Sequence, residues 1–182
     1  MKSTNTKLIV MMEIAILAAL SMGLDWLDTP FKIGPYSFSF SMVPIIILSV
    51  RRGVGPGMIG GLIWSILQII TGNAAGWIVH PVQLILDYPL AFMLIGVAGV
   101  AAKNRTLLNV LLWTLIAIFL RYTSHFFAGW FFFGSYAPEG QPAWLYSLIV
   151  NGSTFLANVA ICLIFVGLLF FAGRRLFTPA ER

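Results

Sequence analysis

Charged residues are scarce in this chain. Only 9% of its 182 residues are Asp, Glu, Lys or Arg, whereas 59% are hydrophobic, and the mean hydropathy is +0.93. So few charges exclude an ordinary soluble domain. The length suits a single domain, residues 1–182, with about six membrane spans of roughly 20 residues each. We therefore expect an all-α integral membrane protein.

Cysteine and histidine are also rare. The single cysteine, Cys162, excludes a disulfide framework within the chain. The two histidines, His80 and His125, fall on different predicted elements and no second carboxylate accompanies them, so we expect no metal site. The sequence lacks a phosphate-binding loop of the G-x-x-x-x-G-K-S/T type, which excludes ATP-driven pumping by this chain alone. No cofactor is expected.

Six apolar runs are candidate membrane spans. They cover residues about 8–24, 40–50, 54–71, 81–102, 107–133 and 146–172. If both termini are cytoplasmic, Lys32 is the only one of the eleven Lys and Arg residues on the outer side, and Arg121 the only one within a span. Because basic residues collect on the cytoplasmic side of membranes, we expect this orientation. Basic residues dispersed in this way do not favour nucleic-acid binding.

Polar residues fall within or at the ends of three of these runs. Arg121 and His125 lie four residues apart on one helix face, and ionisable groups in hydrocarbon usually mark a functional site. With a rise of about 1.5 Å per residue, Asp87 lies roughly 9 Å and His125 roughly 12 Å from the outer ends of antiparallel helices. Tyr146 and Asn151 begin the last run from the same side. The pattern predicts a small-molecule pocket near the outer surface.

Aromatic side chains crowd the same part of the sequence. They are Trp130, Phe131, Phe132, Phe133, Tyr136, Trp144 and Tyr146. Some of them are expected to form an interfacial belt, but together their π faces also favour a flat, cationic heterocycle. A carboxylate, an amide and an imidazole would then recognise the hydrogen-bonding edge of such a ligand.

Two other interpretations of the polar residues stay open. In the first, an Asp87–Arg121 salt bridge only locks helices together and the chain is a scaffold bundle; this leaves His125 and the pocket aromatics without a common role. In the second, His125 and Asp87 are the acid and base of an intramembrane enzyme. Ser124 is adjacent to His125, but neighbours on a helix point in different directions and do not easily form a nucleophile–base pair.

Small residues predict two places of close helix contact. Ala15 and Ala19, four residues apart in the first run, would let another helix approach closely. That helix belongs either to this chain or to a partner subunit, and the spacing does not decide between them. Gly53, Gly57 and Gly61 form a bare ridge at the start of the third run, which predicts tight packing there.

Six sequence blocks carry a resemblance that extends over nearly the whole chain. They are Glu13–Ala19, Leu48–Gly53, His80–Tyr88, Leu120–Gly129, Phe132–Pro138 and Tyr146–Gly152. In this order they resemble the thiamine-specific substrate-binding subunits of energy-coupling factor transporters. The resemblance implies a six-helix protein of a prokaryotic plasma membrane that captures thiamine from outside. It also implies a partner module of one transmembrane coupling subunit and two ATPases, the only subunits that use ATP.

The resemblance assigns roles to individual residues. Ala15 and Ala19 would contact the coupling subunit, and Asp87 would bind the aminopyrimidine. The implied binding positions are Asp87, Tyr88, His125, Gly129, Trp130, Phe133, Tyr146 and Asn151, with Tyr36 on the loop at 25–40, a possible lid. Phe133 stands where some members have Trp, so Trp130, one turn away, is a second candidate for stacking. A subunit for another vitamin, such as riboflavin, or for a pyrimidine precursor remains an alternative.

Overall fold

The computed structural model describes residues 2–27, 32–33 and 36–179, and the side chains of residues 6–27 and 38–179. Six helical segments make up most of this part. They are α1 (Lys2–Leu27), α2 (Val43–Arg52), α3 (Val54–Ile70), α4 (Pro81–Lys103), α5 (Leu107–Phe132) and α6 (Ala143–Ala172). Two antiparallel strands, β1 (Lys32–Ile33) and β2 (Tyr36–Ser37), pair between α1 and α2. The last part of α4, Ile95–Lys103, is wound as a 3-10 helix, and short 3-10 turns cover Gly134–Tyr136 and Arg174–Leu176.

Four of these helices are long and apolar enough to cross a membrane. Among the described residues they are Thr6–Leu27, Pro81–Lys103, Leu107–Phe132 and Ala143–Ala172. The helices α2 and α3 have only 10 and 17 residues. The expectation of an all-helical membrane protein is thereby confirmed, apart from the two-residue strands.

The first helix is longer than the sequence predicted. It continues to Leu27 instead of ending near residue 24, so Asp25 lies on the helix and not in an outer loop. The physical reason is that Asp25 is only 6% exposed and accepts hydrogen bonds from other side chains, as a buried carboxylate must. The prediction that the loop begins at Asp25 is therefore wrong.

The fourth helix changes its winding in the middle. It begins with Pro81 in its first turn, where a missing N–H costs nothing. A π-helical turn then covers Leu86–Leu90 and contains Pro89. Because proline has no N–H and crowds the preceding turn, it favours a wider turn at this point. The hydroxyl of Ser124 on α5 donates to the Leu86 carbonyl at 2.7 Å, so this carbonyl is satisfied from outside α4.

Glycines bring α3 and α4 into close contact. A Cβ added at Gly61 would overlap the Phe92 carbonyl group, 2.7 Å from its carbon, and one at Gly57 would lie 2.9 Å from Gly96 Cα. The prediction of tight packing at Gly57 and Gly61 is therefore confirmed. Gly53 instead has φ of 93°, so its role is to allow the turn between α2 and α3.

One end of the bundle is held by a charge network. Glu13 on α1 accepts from Arg51 at 3.1 Å and from Arg52 at 2.8 Å. Arg105 donates to the Val50 carbonyl at 3.1 Å, so the basic ends of α2 and of the α4–α5 turn lie together. Arg51 also donates to the Arg175 carbonyl at 2.6 Å, which ties the segment after α6 to the same end.

Candidate functional site

A cavity of about 660 Å³ lies among the helices and receives polar groups from several of them. Seven of the residues that the sequence predicted for a ligand site line this cavity: Asp87, Tyr88, His125, Gly129, Phe133, Tyr146 and Asn151. Its volume is in the range of sites for small molecules and cofactors. The structure therefore brings together side chains that are far apart in sequence, as expected from their similar predicted depths in the membrane.

A hydrogen-bonded chain of side chains crosses the wall formed by α4 and α5. Arg121 Nε donates to His125 Nε2 at 3.3 Å, and His125 Nδ1 lies 2.8 Å from Asp87 Oδ1. The other carboxylate oxygen, Oδ2, accepts from Gln83 Nε2 at 2.6 Å, and Gln83 Oε1 accepts from the Val79 N–H at 3.1 Å. Each of these side chains is thus oriented by its neighbour.

The hydrogen bonds to Arg121 and Asp87 fix the tautomer of His125. A guanidinium N–H is always a donor, so Nε2 must be the acceptor in the contact with Arg121. Nδ1 then carries the proton and donates it to the Asp87 carboxylate. We infer from this geometry a neutral imidazole in which both ring nitrogens are engaged.

Arg121 does not form the salt bridge with Asp87 that one interpretation of the sequence proposed. Within the described part of the chain it forms no ion pair with Asp87, and it reaches that carboxylate only through His125. Its Cζ lies 4.2 Å from the Phe92 ring centroid and 5.2 Å from that of Trp64. A cation over two aromatic faces is stabilised without a partner carboxylate. Arg121 also lines the cavity.

The wall between α5 and α6 depends on a glycine. Gly129 has no side chain, and a Cβ there would overlap the Ser147 hydroxyl and lie 3.1 Å from Asn151 Nδ2. The amide of Asn151 donates to the Ser147 carbonyl at 3.1 Å and to the His125 carbonyl at 3.4 Å. With its N–H groups used in this way, Asn151 offers its carbonyl oxygen as the acceptor for a ligand.

A second polar cluster, not recognised in the sequence, lines the same cavity. It consists of Asp25 on α1, Gln68 on α3 and Asn73 just after α3. Gln68 Nε2 donates to Asp25 Oδ2 at 2.7 Å, Asn73 Nδ2 donates to the same oxygen, and Asn73 Nδ2 also donates to Gln68 Oε1 at 2.6 Å. The available signal was that Asp25, Gln68 and Asn73 all fall near the outer ends of predicted spans.

Among the predicted site residues whose side chains the structure describes, Trp130 alone does not line the cavity. Trp130 is 37% exposed and stacks on Phe131 and Phe127, with ring centroids 5.0 and 6.3 Å away. Phe133 lines the cavity instead, with Tyr136 at 5.9 Å. Tyr36 lies in β2, and its side chain is outside the described residues. Binding roles for Trp130 and Tyr36 stay predictions.

The small-residue pair of α1 faces outward. Ala15 and Ala19 are exposed, as are Met11, Met12 and Ile16 around them. Exposure of Ala15 and Ala19 fits a surface for a second helix better than packing inside this chain.

Among the described residues, no group of three or more His, Cys, Asp or Glu side chains is placed to hold a metal ion.

The chain is similar to known proteins along nearly its whole length. The family model described as thiamine transporter protein matches residues 11–178. The chain belongs to this family. It is 38% identical over 185 residues to thiamine transporter ThiT of Bacillus subtilis, covering 94% of this chain and 95% of that protein. It is 34% identical over 189 residues to ThiT of Lacticaseibacillus paracasei, covering 97% of this chain and 94% of that one.

A solved structure extends the comparison to the fold. ThiT from Listeria monocytogenes matches with a TM-score of 0.86 at 33% identity, covering 96% of this chain and 100% of that chain. The resemblance to thiamine-specific transporters in the sequence is therefore confirmed. With its apolar helices, this member of the thiamine transporter family is a multi-pass protein of a prokaryotic plasma membrane.

Proposed function

We propose that the chain captures thiamine at the outer side of the membrane and supports its uptake as the substrate-binding subunit of an energy-coupling factor importer. The observation that carries the proposal is the cavity in which Asp87, His125 and Asn151 meet Tyr146 and Phe133. It combines the two features that thiamine needs: hydrogen-bonding groups for an aminopyrimidine and aromatic faces for a cationic ring. Family membership supports the choice of thiamine over riboflavin or a pyrimidine precursor.

In this proposal each side chain contacts a particular part of the ligand. The Asp87 carboxylate, oriented by His125 and Gln83, binds the amino group of the pyrimidine. The Asn151 carbonyl oxygen accepts from the same ring, and Tyr146 lines the same cavity. Tyr88 and Phe133 pack on the rings. Because the side chains are held by one another before the ligand arrives, less conformational entropy is lost on binding.

We further propose that all six helices cross the membrane and that both termini are cytoplasmic. The network of Glu13, Arg51, Arg52 and Arg105 then lies on the inside, as the distribution of basic residues favours. The helix α2 is short, but the non-helical segment before it is hydrogen-bonded, since the Ser39 N–H donates to Asn158 Oδ1 at 2.7 Å. Such pairing is what a non-helical backbone within a membrane requires.

In this proposal the chain binds and releases its ligand unchanged. The chain needs no cofactor, and ATP is used only by two partner ATPases, which act through a transmembrane coupling subunit. Ala15 and Ala19 are the proposed contact with that subunit, since they are exposed on a spanning helix. Use of His125 as a catalytic base is disfavoured because its Nε2 lone pair already accepts from Arg121.

Calorimetric titration of the purified protein tests the proposal. Thiamine is expected to bind at one site per chain with submicromolar Kd, and riboflavin is expected to produce no heat. Ligand extracted after binding should be recovered intact. Saturable binding of riboflavin but not of thiamine would contradict thiamine as the ligand. Recovery of a converted product would contradict the proposal that the ligand is released unchanged.

A further inference from the structure

We propose that the terminal nitrogens of Arg121 bind the hydroxyl oxygen at the end of the ligand's side chain and make the cavity selective for a ligand that carries this oxygen. This inference rests on the proposed function and names a subsite within it. Arg121 lines the cavity, but the proposed recognition of the pyrimidine uses other side chains, among them Asp87 and Asn151. The subsite is therefore a second point of attachment, at the other end of the ligand.

The guanidinium group of Arg121 has hydrogen-bonding capacity that the described side chains do not use. It carries five N–H donors and accepts no hydrogen bond. Among the described residues its one hydrogen bond runs from Nε to His125 Nε2 at 3.3 Å, and the buried Nη1 atom has no partner. Because a buried donor without an acceptor is costly and rare, we expect an acceptor from outside the chain at this group.

The aromatic neighbours of Arg121 offset its charge but do not supply this acceptor. Its Cζ lies 4.2 Å from the ring centroid of Phe92 and 5.2 Å from that of Trp64. Ring faces attract a cation, yet they are much weaker hydrogen-bond acceptors than an oxygen atom. The buried indole N–H of Trp64 also has no partner in the described part of the chain. The surroundings of Arg121 thus add a further donor, and an oxygen atom of the ligand provides what they lack.

The position of the guanidinium group matches the far end of a ligand held at Asp87. Asp87 contacts Nδ1 of His125 and Arg121 contacts Nε2, so the carboxylate and the guanidinium group lie on different sides of the imidazole. Thiamine carries its amino group on the pyrimidine and its hydroxyl at the end of a two-carbon chain on the other ring. With the pyrimidine at Asp87, this chain extends toward Arg121, and the hydroxyl oxygen accepts from it.

The test compares thiamine with its deoxy analogue, in which hydrogen replaces the terminal hydroxyl group. In the full-length wild-type protein, titration calorimetry should give a Kd for thiamine at least about tenfold below that for the analogue. In Arg121→Met the two Kd values should lie within about twofold of each other. Loss of the contact with His125 weakens both compounds alike in this variant, so it is the ratio of the two Kd values that reports on the subsite.

A matched control comes from the same helix. Thr123 does not line the cavity, and its hydroxyl donates to the Phe119 carbonyl at 2.9 Å. Thr123→Val should therefore keep the wild-type ratio of the two Kd values.

A second variant covers the case in which Arg121→Met does not fold. Arg121→Gln keeps a polar group, but its shorter side chain ends before the positions of Nη1 and Nη2, so the ratio should fall as well. Equal Kd values for both compounds in wild type, as expected if water is the acceptor at Nη1, would overturn the inference while leaving thiamine capture intact. A wild-type ratio in either folded Arg121 variant would do the same. A wild-type protein that binds neither compound would overturn the proposed function and this inference with it.

Discussion

His125 Nδ1 and Asp87 Oδ1 are 2.8 Å apart, which joins α5 to the π-helical turn of α4. One residue earlier on each helix, Ser124 donates to the Leu86 carbonyl at 2.7 Å. The wider turn around Pro89 is therefore bound to α5 through both a side chain and a backbone carbonyl. π-Helical turns often occur at functional sites, and here the turn carries two proposed ligand-binding residues, Asp87 and Tyr88.

The Asp87→Asn variant tests the role of this carboxylate. Asparagine has nearly the same shape, but it removes the charge and can present an NH₂ group to the Gln83 amide, which is itself a donor. We expect thiamine binding to weaken roughly 10- to 100-fold, the range for losing a hydrogen bond to a charged group. Titration calorimetry measures the change. Lys103→Ala, exposed at the end of α4, is the control and should bind as wild type does.

The two stacking candidates can be separated by a pair of substitutions. Phe133 lines the cavity, whereas Trp130 is not among its lining residues and stacks on Phe131 at 5.0 Å. Phe133→Ala should therefore weaken thiamine binding about tenfold, because an aromatic contact to a cation is worth roughly 0.5–2 kcal/mol. Trp130→Ala should change it less than about twofold in the same titration. The reverse order of effects would contradict the placement of Phe133 in the site.

Much of the site follows from sequence because helical rise fixes depth. Asp87 and His125 could be placed at similar depths on antiparallel helices from their distance to predicted helix ends, and they do contact each other. The position of Arg121 relative to Asp87 could not be predicted in this way. The contact of Arg121 with His125 follows from their four-residue spacing, but depth does not specify rotation about the helix axis, which directs Arg121 toward Phe92 instead of toward Asp87.

The Asp25 cluster was missed for a related reason. An acidic residue at the end of an apolar run has the same pattern whether it lies in a loop or is buried on a helix. Only the tertiary contacts with Gln68 and Asn73 distinguish these cases. Glu13 is similar, because its position within an apolar run gave no sign that Arg51 and Arg52 would pair with it.

Glycine 129 tests the shape of the cavity wall. In Gly129→Ala the added methyl group would overlap the Ser147 hydroxyl and press on Asn151 Nδ2, 3.1 Å away. We expect thiamine binding to weaken by at least about tenfold, since relieving the overlap must shift the α6 side chains that line the site. Gly152→Ala on α6 is the matched control, because its Cβ would meet nothing within 4 Å. Equal binding by both variants would exclude a tight wall at Gly129.

Glycine 61 is expected to affect stability. A Cβ there would overlap the Phe92 carbonyl group, which is backbone and moves only if α3 and α4 separate. Gly61→Ala should lower the free energy of unfolding by about 1–3 kcal/mol and lower the Tm in detergent. Gly55→Ala on the same helix has open space around its Cβ and should maintain or raise the Tm, since alanine favours helix. A Tm for Gly61→Ala at or above that of wild type would contradict close α3–α4 contact.

The exposed alanines of α1 allow binding and transport to be separated. Ala15→Leu enlarges a surface residue that does not line the ligand cavity. Thiamine binding by the purified subunit should therefore stay within about twofold of wild type. If a coupling-subunit helix packs closely at this point, the larger side chain prevents its approach, and uptake of labelled thiamine into vesicles containing the assembled importer should fall at least about tenfold.

Ala160→Leu, on the exposed face of α6, is the control for an added side chain on a spanning helix. Uptake reduced equally by both variants would show that a larger residue on any exposed helix is harmful, and unimpaired uptake by Ala15→Leu would exclude close docking at Ala15.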